Sequence, residues 1–177
     1  MLRGQALAAE RKPLIVMTPK TQLYAQQSSF SRLHDLARGE FQALHGEGDE
    51  AEPAAVRRVV VTSGKLYYDL AAGRAQAGLS GLPILRAEQL YPFPTEALAA
   101  RLQRYPQLRE LVWAQEEARN HGAWQCVRDA IEATLPPGAS LRYAGRAAAP
   151  ATAVYNPARH AVEQRAVVAS ALGLAPA

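Results

Sequence analysis

From Arg57 onward the chain alternates short apolar runs with stretches whose apolar residues recur at helical spacing. Val59-Val60-Val61 is a continuous β-branched run that ends at the small-residue turn Ser63-Gly64-Lys65, and Leu66, Tyr67, Leu70 and Ala71 then follow at three- and four-residue steps toward Ala77. That is a strand, a turn and a helix. The unit returns as Leu82-Pro83-Ile84-Leu85 followed by Thr95 to Arg104, and as Leu111-Val112-Trp113 followed by Asn120 to Leu135. A last strand, Ser140-Leu141-Arg142-Tyr143, is followed after a Gly/Ala/Pro loop by a helix over Pro157 to Leu172. Strands alternating with helices of this length predict βαβ units, that is, an α/β domain with a mostly parallel sheet and helices on both faces.

The first third is less regular. Pro13-Leu14-Ile15-Val16-Met17 is too brief for a helix and stops at Thr18-Pro19-Lys20, so it is expected to be a buried strand. Residues 21–50 are polar and irregular, with a short helix expected around Ser31 to Ala37. A connection of that length is generally functional or covered by a partner surface, because it contributes little core of its own.

Composition narrows the class. The 177 residues are 49% apolar, enough for a buried core in a single domain spanning 1–177. The 20 Lys and Arg against 16 Asp and Glu leave a net charge of +4 spread along the chain, which indicates neither disorder nor a nucleic-acid surface. A single cysteine, Cys126, makes no internal disulfide and no zinc site. No apolar run approaches the ~20 residues of a membrane span, and no signal-peptide core is visible, so a cytoplasmic protein without membrane partners is expected.

In parallel sheets, binding residues gather just beyond the carboxyl ends of the strands. After the second run stands Thr62-Ser63-Gly64-Lys65, which either presents backbone N–H groups and a lysine to an anion or is a helix start capped by Ser63. It is not a P-loop, since the position of the required first glycine is Val59. After the third run comes Arg86-Ala87-Glu88-Gln89-Leu90-Tyr91-Pro92-Phe93-Pro94, a stiff aromatic and proline ridge suited to a subunit contact or to a crossover packed on its own domain. After the fourth come Gln115-Glu116-Glu117 and Asn120-His121-Gly122-Ala123-Trp124. Neighbouring carboxylates on an extended segment diverge, so Glu116 and Glu117 are expected to do different jobs: one accepts hydrogen bonds from backbone or from His121, and the other faces a partner. His121 is either a proton-transfer group or structural. No nucleophile elbow, GxGxxG fingerprint or metal-ligand helix occurs, and no catalytic residue is assigned.

Several blocks together are more specific than any one of them. Arg11-Lys12-Pro13 through Pro19-Lys20, Ser63 through Leu70, Arg86 through Pro94, Trp113 through Glu117, Asn120 through Trp124 and Tyr143-Ala144-Gly145-Arg146, in this order, resemble the C-terminal region of the thiamine-diphosphate-dependent decarboxylase component of 2-oxoglutarate dehydrogenase complexes. The resemblance runs from Leu2 to about Leu174 and implies a transketolase-type C-terminal domain, a piece of a longer enzyme. It also implies that thiamine diphosphate and magnesium belong to preceding catalytic domains, where the cofactor acts as electron sink in decarboxylation before a succinyl unit passes to a lipoyl group. No cofactor is expected in this piece. The implied partners are those N-terminal domains, a second copy in a homodimer, and the dihydrolipoyl succinyltransferase and dihydrolipoyl dehydrogenase components.

The candidate anion or nucleotide contacts are Lys20, Ser63, Lys65 and Arg146. The candidate interface residues are Leu23, Phe30, Phe41, Tyr91, Phe93, Glu116, Glu117 and His121. The chain departs from the family pattern in having Tyr24 where an arginine is usual, His121 in place of a glutamine, and Ala147 through Asn156 in place of a proline-rich run. These departures leave a paralogous enzyme acting on a longer acid such as 2-oxoadipate as the alternative, with a stand-alone nucleotide-binding module or a purely structural dimerisation domain as further classes.

Overall fold

The computed structural model describes residues 2–10, 12–19, 30–47 and 52–175, which fall into two units divided at Gln42 and Ala43. The first unit contains α1 (Leu2–Leu7) and α2 (Leu33–Arg38). The second helix sits where the short Ser31 to Ala37 helix is expected. None of the first unit's described residues is buried.

Pro13 to Met17, expected as a buried strand, is not one. It is irregular and has no ladder partner among the described residues, and Ile15 and Met17 are 83% and 89% exposed. An apolar, β-branched run becomes a strand only where a neighbour takes its backbone hydrogen bonds, and side-chain pattern alone does not supply that neighbour.

The second unit contains β1 (Leu44–Glu47), β2 (Arg58–Ser63), α3 (Leu66–Gln76), β3 (Ile84–Ala87), α4 (Thr95–Leu102), β4 (Glu110–Ala118), α5 (Trp124–Glu132), β5 (Ser140–Arg146) and α6 (Pro157–Leu172). The strands form one sheet in the order β1-β3-β2-β4-β5, parallel throughout except for β1, which pairs antiparallel with β3. The strand β1 lies in the stretch expected to be irregular. It is four residues long with His45 and Gly46 in the middle, so no apolar alternation marks it. A Cβ at Gly46 would lie 2.8 Å from the Leu85 side chain and 2.6 Å from the Arg101 guanidinium, which reaches across from α4 to the Gly46 carbonyl at 3.2 Å.

Successive residues on β2 and β4 leave on opposite faces, and the core divides accordingly. Val59, Val61, Leu85, Leu111 and Trp113 join Leu98 and Leu102 of α4 and Val127 and Ile131 of α5 in one apolar layer. Val60, Ile84, Val112 and Ala114 join Leu66 and Leu70 of α3 and Val167, Ala171 and Leu172 of α6 in the other. Val59, Val60 and Val61 are all fully buried. Each such side chain contributes about 1.5–3 kcal/mol of transfer free energy, and a three-layer sandwich is the arrangement that buries both faces of a β-branched run. The expected α/β architecture, mostly parallel with helices on both faces, is the observed one.

The helix α6 occupies the predicted range. Asn156 caps it by accepting from the backbone N–H of Ala158 (2.9 Å) and Arg159 (3.1 Å), Pro157 opens it, and Gly173 ends it at φ +78°. The helix expected from Asn120 starts later, at Trp124, because Gly122 at φ +65° turns the chain first and the Asn120 side chain is tied to Ala149 across the loop (2.9 and 3.0 Å).

Candidate functional site

Strands β2, β4 and β5 end side by side, and beyond their carboxyl ends polar side chains from β4, β5, α3 and α6 meet. The turn Ser63-Gly64-Lys65 leaves β2 with Gly64 at φ +65°, a conformation that favours glycine, and Lys65 opens α3 without any side-chain cap. Ser63 therefore does not cap this helix. It is the last residue of β2, half-buried, and its backbone registers with Ala87.

The carboxylate of Glu116 is 18% exposed and takes a hydrogen bond and ion pair from Lys65. Its Oε1 also accepts from Gln164 Nε2 at 2.8 Å, and the same amide reaches Asp69 Oδ2 at 2.9 Å. Arg146, 14% exposed, donates from Nη1 to the Glu116 carbonyl (2.6 Å) and from Nη2 to Gln164 Oε1 (3.2 Å) and His160 Nδ1 (3.1 Å). Because Nδ1 of His160 accepts, its ring proton resides on Nε2. Arg146 Nε lies 3.0 Å from Glu163 Oε2, and Arg159 Nε donates to Oε1 of the same carboxylate at 2.7 Å. That hydrogen bond from Arg159, with the charges of Arg159 and Arg146, holds the Glu163 carboxyl below the usual carboxylate range against the opposing effect of desolvation.

A second network lies under β4. Gln115 is 3% exposed and is one of the two buried polar residues in the described core, the other being Thr62. Its Oε1 accepts from Trp113 Nε1 and from the backbone N–H of Trp124, each at 3.0 Å, so a strand side chain satisfies an amide at the start of α5. Its Nε2 donates to the His121 carbonyl at 2.8 Å and lies 3.2 Å from the Ala118 carbonyl. Tyr143 packs its ring against Trp124 at 5.2 Å between centroids and places its hydroxyl 3.2 Å from the carbonyls of Glu117 and Arg146. Burial pushes the Tyr143 hydroxyl above its ordinary pKa.

The candidate residues thus separate. Lys65, Glu116 and Arg146 are brought together; Glu117 is exposed on the opposite side of the strand. His121 pairs with neither carboxylate, since its Nε2 is turned to the Ala149 carbonyl at 3.1 Å and donates there. Phe30, Phe41 and Tyr91 are 66%, 57% and 93% exposed, whereas Phe93 packs against the apolar layer that holds Leu98. Lys20 and Leu23 lie outside the described residues.

A family model described as 2-oxoglutarate dehydrogenase C-terminal matches residues 30–172. The chain belongs to this family. It is 41% identical over 171 residues to the 2-oxoglutarate dehydrogenase E1 component of Cupriavidus necator and 42% identical over 172 residues to that of Haemophilus influenzae, in each case over 97% of this chain and 18% of the relative. It therefore spans about a fifth of the length of the curated relatives it matches. A solved chain described as a split gene transketolase, an inactive β4 tetramer, superposes with a TM-score of 0.49 at 19% identity, covering 76% of this chain and 43% of that one.

In this member of the 2-oxoglutarate dehydrogenase C-terminal family, residues that the sequence reading did not single out complete the network. Gln164 and His160 are four apart on α6 and so share a face, which is the signal that could have found them. Glu163 and Arg159 are a second such pair, linked at 2.7 Å. Asp69 carried no signal, because it is a single polar residue in a mostly apolar helix pattern; Gln115 stood in the block named after the fourth run, but nothing local marked it rather than Glu116 or Glu117 for burial. Lys65 is paired with Glu116 and Arg146 with Glu163, so the described cations expected to hold an anion already have carboxylate partners within the domain. Among the described residues no three His, Cys, Asp or Glu side chains could hold a metal ion. The donor set here does not fit a magnesium diphosphate.

Proposed function

We propose that the chain is the C-terminal, non-catalytic domain of a 2-oxoglutarate dehydrogenase decarboxylase component. In that enzyme the thiamine diphosphate chemistry belongs to the part of the relatives outside the 18% that this chain covers. The observation that carries the reading is the match over 97% of this chain to relatives of which it covers 18%. The geometry supports it from the other side: the polar cluster at the sheet edge is spent on holding α6, α3 and β4 together, with its charges paired internally.

The domain's contribution is then assembly. Leu14, Ile15, Met17, Phe30, Leu33, Leu36 and Phe41 in the first unit, and Tyr91 in the second, present apolar surface that nothing described in this chain buries, and in the parent enzyme the preceding domains or a second copy would cover it. The homodimer and the succinyltransferase and dihydrolipoyl dehydrogenase components are the partners this reading calls for.

The test is a chimera in which this chain replaces the corresponding C-terminal fifth of the Haemophilus influenzae relative. The expected result is 2-oxoglutarate-dependent release of carbon dioxide by the chimera and none by this chain alone supplied with thiamine diphosphate and magnesium. Turnover by the chain alone would overturn the proposal, as would a chimera that binds thiamine diphosphate yet is inactive. Activity with 2-oxoadipate in preference to 2-oxoglutarate would overturn the substrate and favour the paralogous enzyme. Saturable heat on titrating the chain with an adenine nucleotide would favour the stand-alone binding module instead.

A further inference from the structure

A groove of about 710 Å³ runs between the 147–156 loop and one stripe of α6, at the carboxyl end of β5. Its volume is in the range of small-molecule sites. The walls are mostly methyl groups, Ala147, Ala149 and Ala153 on the loop and Ala166 and Val167 on the helix, with uncharged polar groups from residues such as Thr152 and Ser170 between them. Charge enters at one place, where Arg146, Arg159 and Glu163 border the same groove.

These three groups do not cancel. The single Glu163 carboxylate is shared, one oxygen taken by Arg159 Nε and the other facing Arg146 Nε. Arg146 has spent its remaining nitrogens on the Glu116 carbonyl, Gln164 and His160. Arg159 has not: its side chain is 75% exposed, and among the described residues only its Nε has an acceptor. His160 adds no charge while its Nδ1 accepts from Arg146. The first backbone amides of α6 are already taken by Asn156 and offer nothing further. Two guanidinium groups against one carboxylate leave one positive charge beside an apolar trough, and the free Nη pair of Arg159 is a ready-made fork for a planar oxyanion.

We infer that this groove binds a small aliphatic carboxylate, its headgroup on Arg159 and its hydrocarbon chain along the alanine wall. The chemistry called for is a carboxylate bearing several methylenes. A bare anion would leave the trough wet, and an uncharged chain would leave the Nη groups of Arg159 without an acceptor. The site adjoins the Lys65–Glu116–Gln164 cluster through Arg146, but its binding group, Arg159, makes no contact with that cluster's side chains among the described residues, and the inference is independent of the decarboxylase reading, since it needs no other domain.

The probe is octanoate, titrated into the isotopically labelled 177-residue chain and followed by backbone amide shifts, with octan-1-ol and acetate as separate arms. Saturable shifts confined to residues 147–156 and the 159–167 face of α6 are expected with octanoate. Affinity should rise severalfold per methylene from butanoate to octanoate. Octan-1-ol and acetate should each bind about tenfold more weakly or worse. Arg159→Gln, a change at an exposed side chain, should weaken octanoate by about tenfold with an unchanged melting temperature. Ala166→Phe, which fills the trough from an exposed helix position, should block binding by the apolar route. The inference is overturned by shifts that do not saturate or map elsewhere, by equal binding of octan-1-ol, or by full affinity in Arg159→Gln.

Discussion

In an extended strand adjacent side chains leave on opposite faces, so on β4 Glu116 turns toward Lys65 and Gln164 while Glu117 stands exposed. Removing the Glu116 carboxylate leaves Lys65 and one of the two N–H groups of the Gln164 amide without their acceptor in a half-buried site, whereas the Glu117 side chain is exposed. Glu116→Ala is expected to destabilise the chain by about 1–3 kcal/mol and Glu117→Ala by less than about 0.5 kcal/mol. Urea denaturation of the two single variants reads the difference; equal losses would mean that Glu116 is an ordinary surface carboxylate. Tyr143 bears on the other end of the pH scale. Because burial raises its pKa in the folded state, the folded protein holds that proton longer than the unfolded one. The associated stability is complete below the ordinary tyrosine value of about 10 and is lost as pH rises through the folded value. Wild type should therefore lose stability as pH rises above about 10 more steeply than Tyr143→Phe, which has no hydroxyl to ionise. Parallel curves in denaturant midpoint against pH would contradict this.

At the scale of elements, α6 is the helix most dependent on its ends. Its start is local, with Asn156 and Pro157 supplying cap and first turn. Its finish is tertiary. Gly173 stands at φ +78°, and a Cβ there would fall 1.5 Å from Nη1 of Arg58, whose Nε is bonded to Glu110 at 2.5 Å. Arg142 holds the other oxygen of Glu110 at 2.8 Å and donates to the Ser170 carbonyl at 2.8 Å, so β2, β4, β5 and the last turn of α6 meet at one carboxylate. Gly173→Ala is expected to cost about 1–2 kcal/mol, part from the left-handed backbone and part from moving Arg58 off Glu110. The same change at Gly4, where a Cβ meets nothing within 4 Å, should cost nothing measurable. Thermal unfolding of the pair checks the contrast. The start of α5 shows the opposite arrangement: Ala123 offers no capping group, and Gln115 on β4 takes the Trp124 amide instead.

At the scale of the whole molecule, no described residue of the first unit is buried, while both apolar layers of the sheet lie in the second. A chain trimmed to residues 43–177 is therefore expected to unfold at the same urea midpoint as the full chain, within about 0.5 kcal/mol, and a larger loss would show that residues 1–42 contribute core. The alternation of apolar runs with helical periods was sufficient to establish all four parallel strands, the helices that follow them and the two-faced burial, because a fully apolar run such as Val59-Val60-Val61 is stable only between two layers. The extent of α6 was equally legible, its cap, its proline and its terminal glycine being local chemistry. Other features depended on partners far along the chain. Pattern could not say that Pro13 to Met17 would lack a neighbouring strand, or that Leu44 to Glu47 would be recruited to the sheet edge by β3. Period-2 geometry required Glu116 and Glu117 to diverge, but which one turned inward was decided by Lys65, 51 residues away, and Gln164, 48 residues away. Local periodicity records what a segment needs to bury. The identity of the group that satisfies each buried charge or amide belongs to tertiary structure, because hydrogen bonds join atoms by distance in space and carry no trace of separation along the chain.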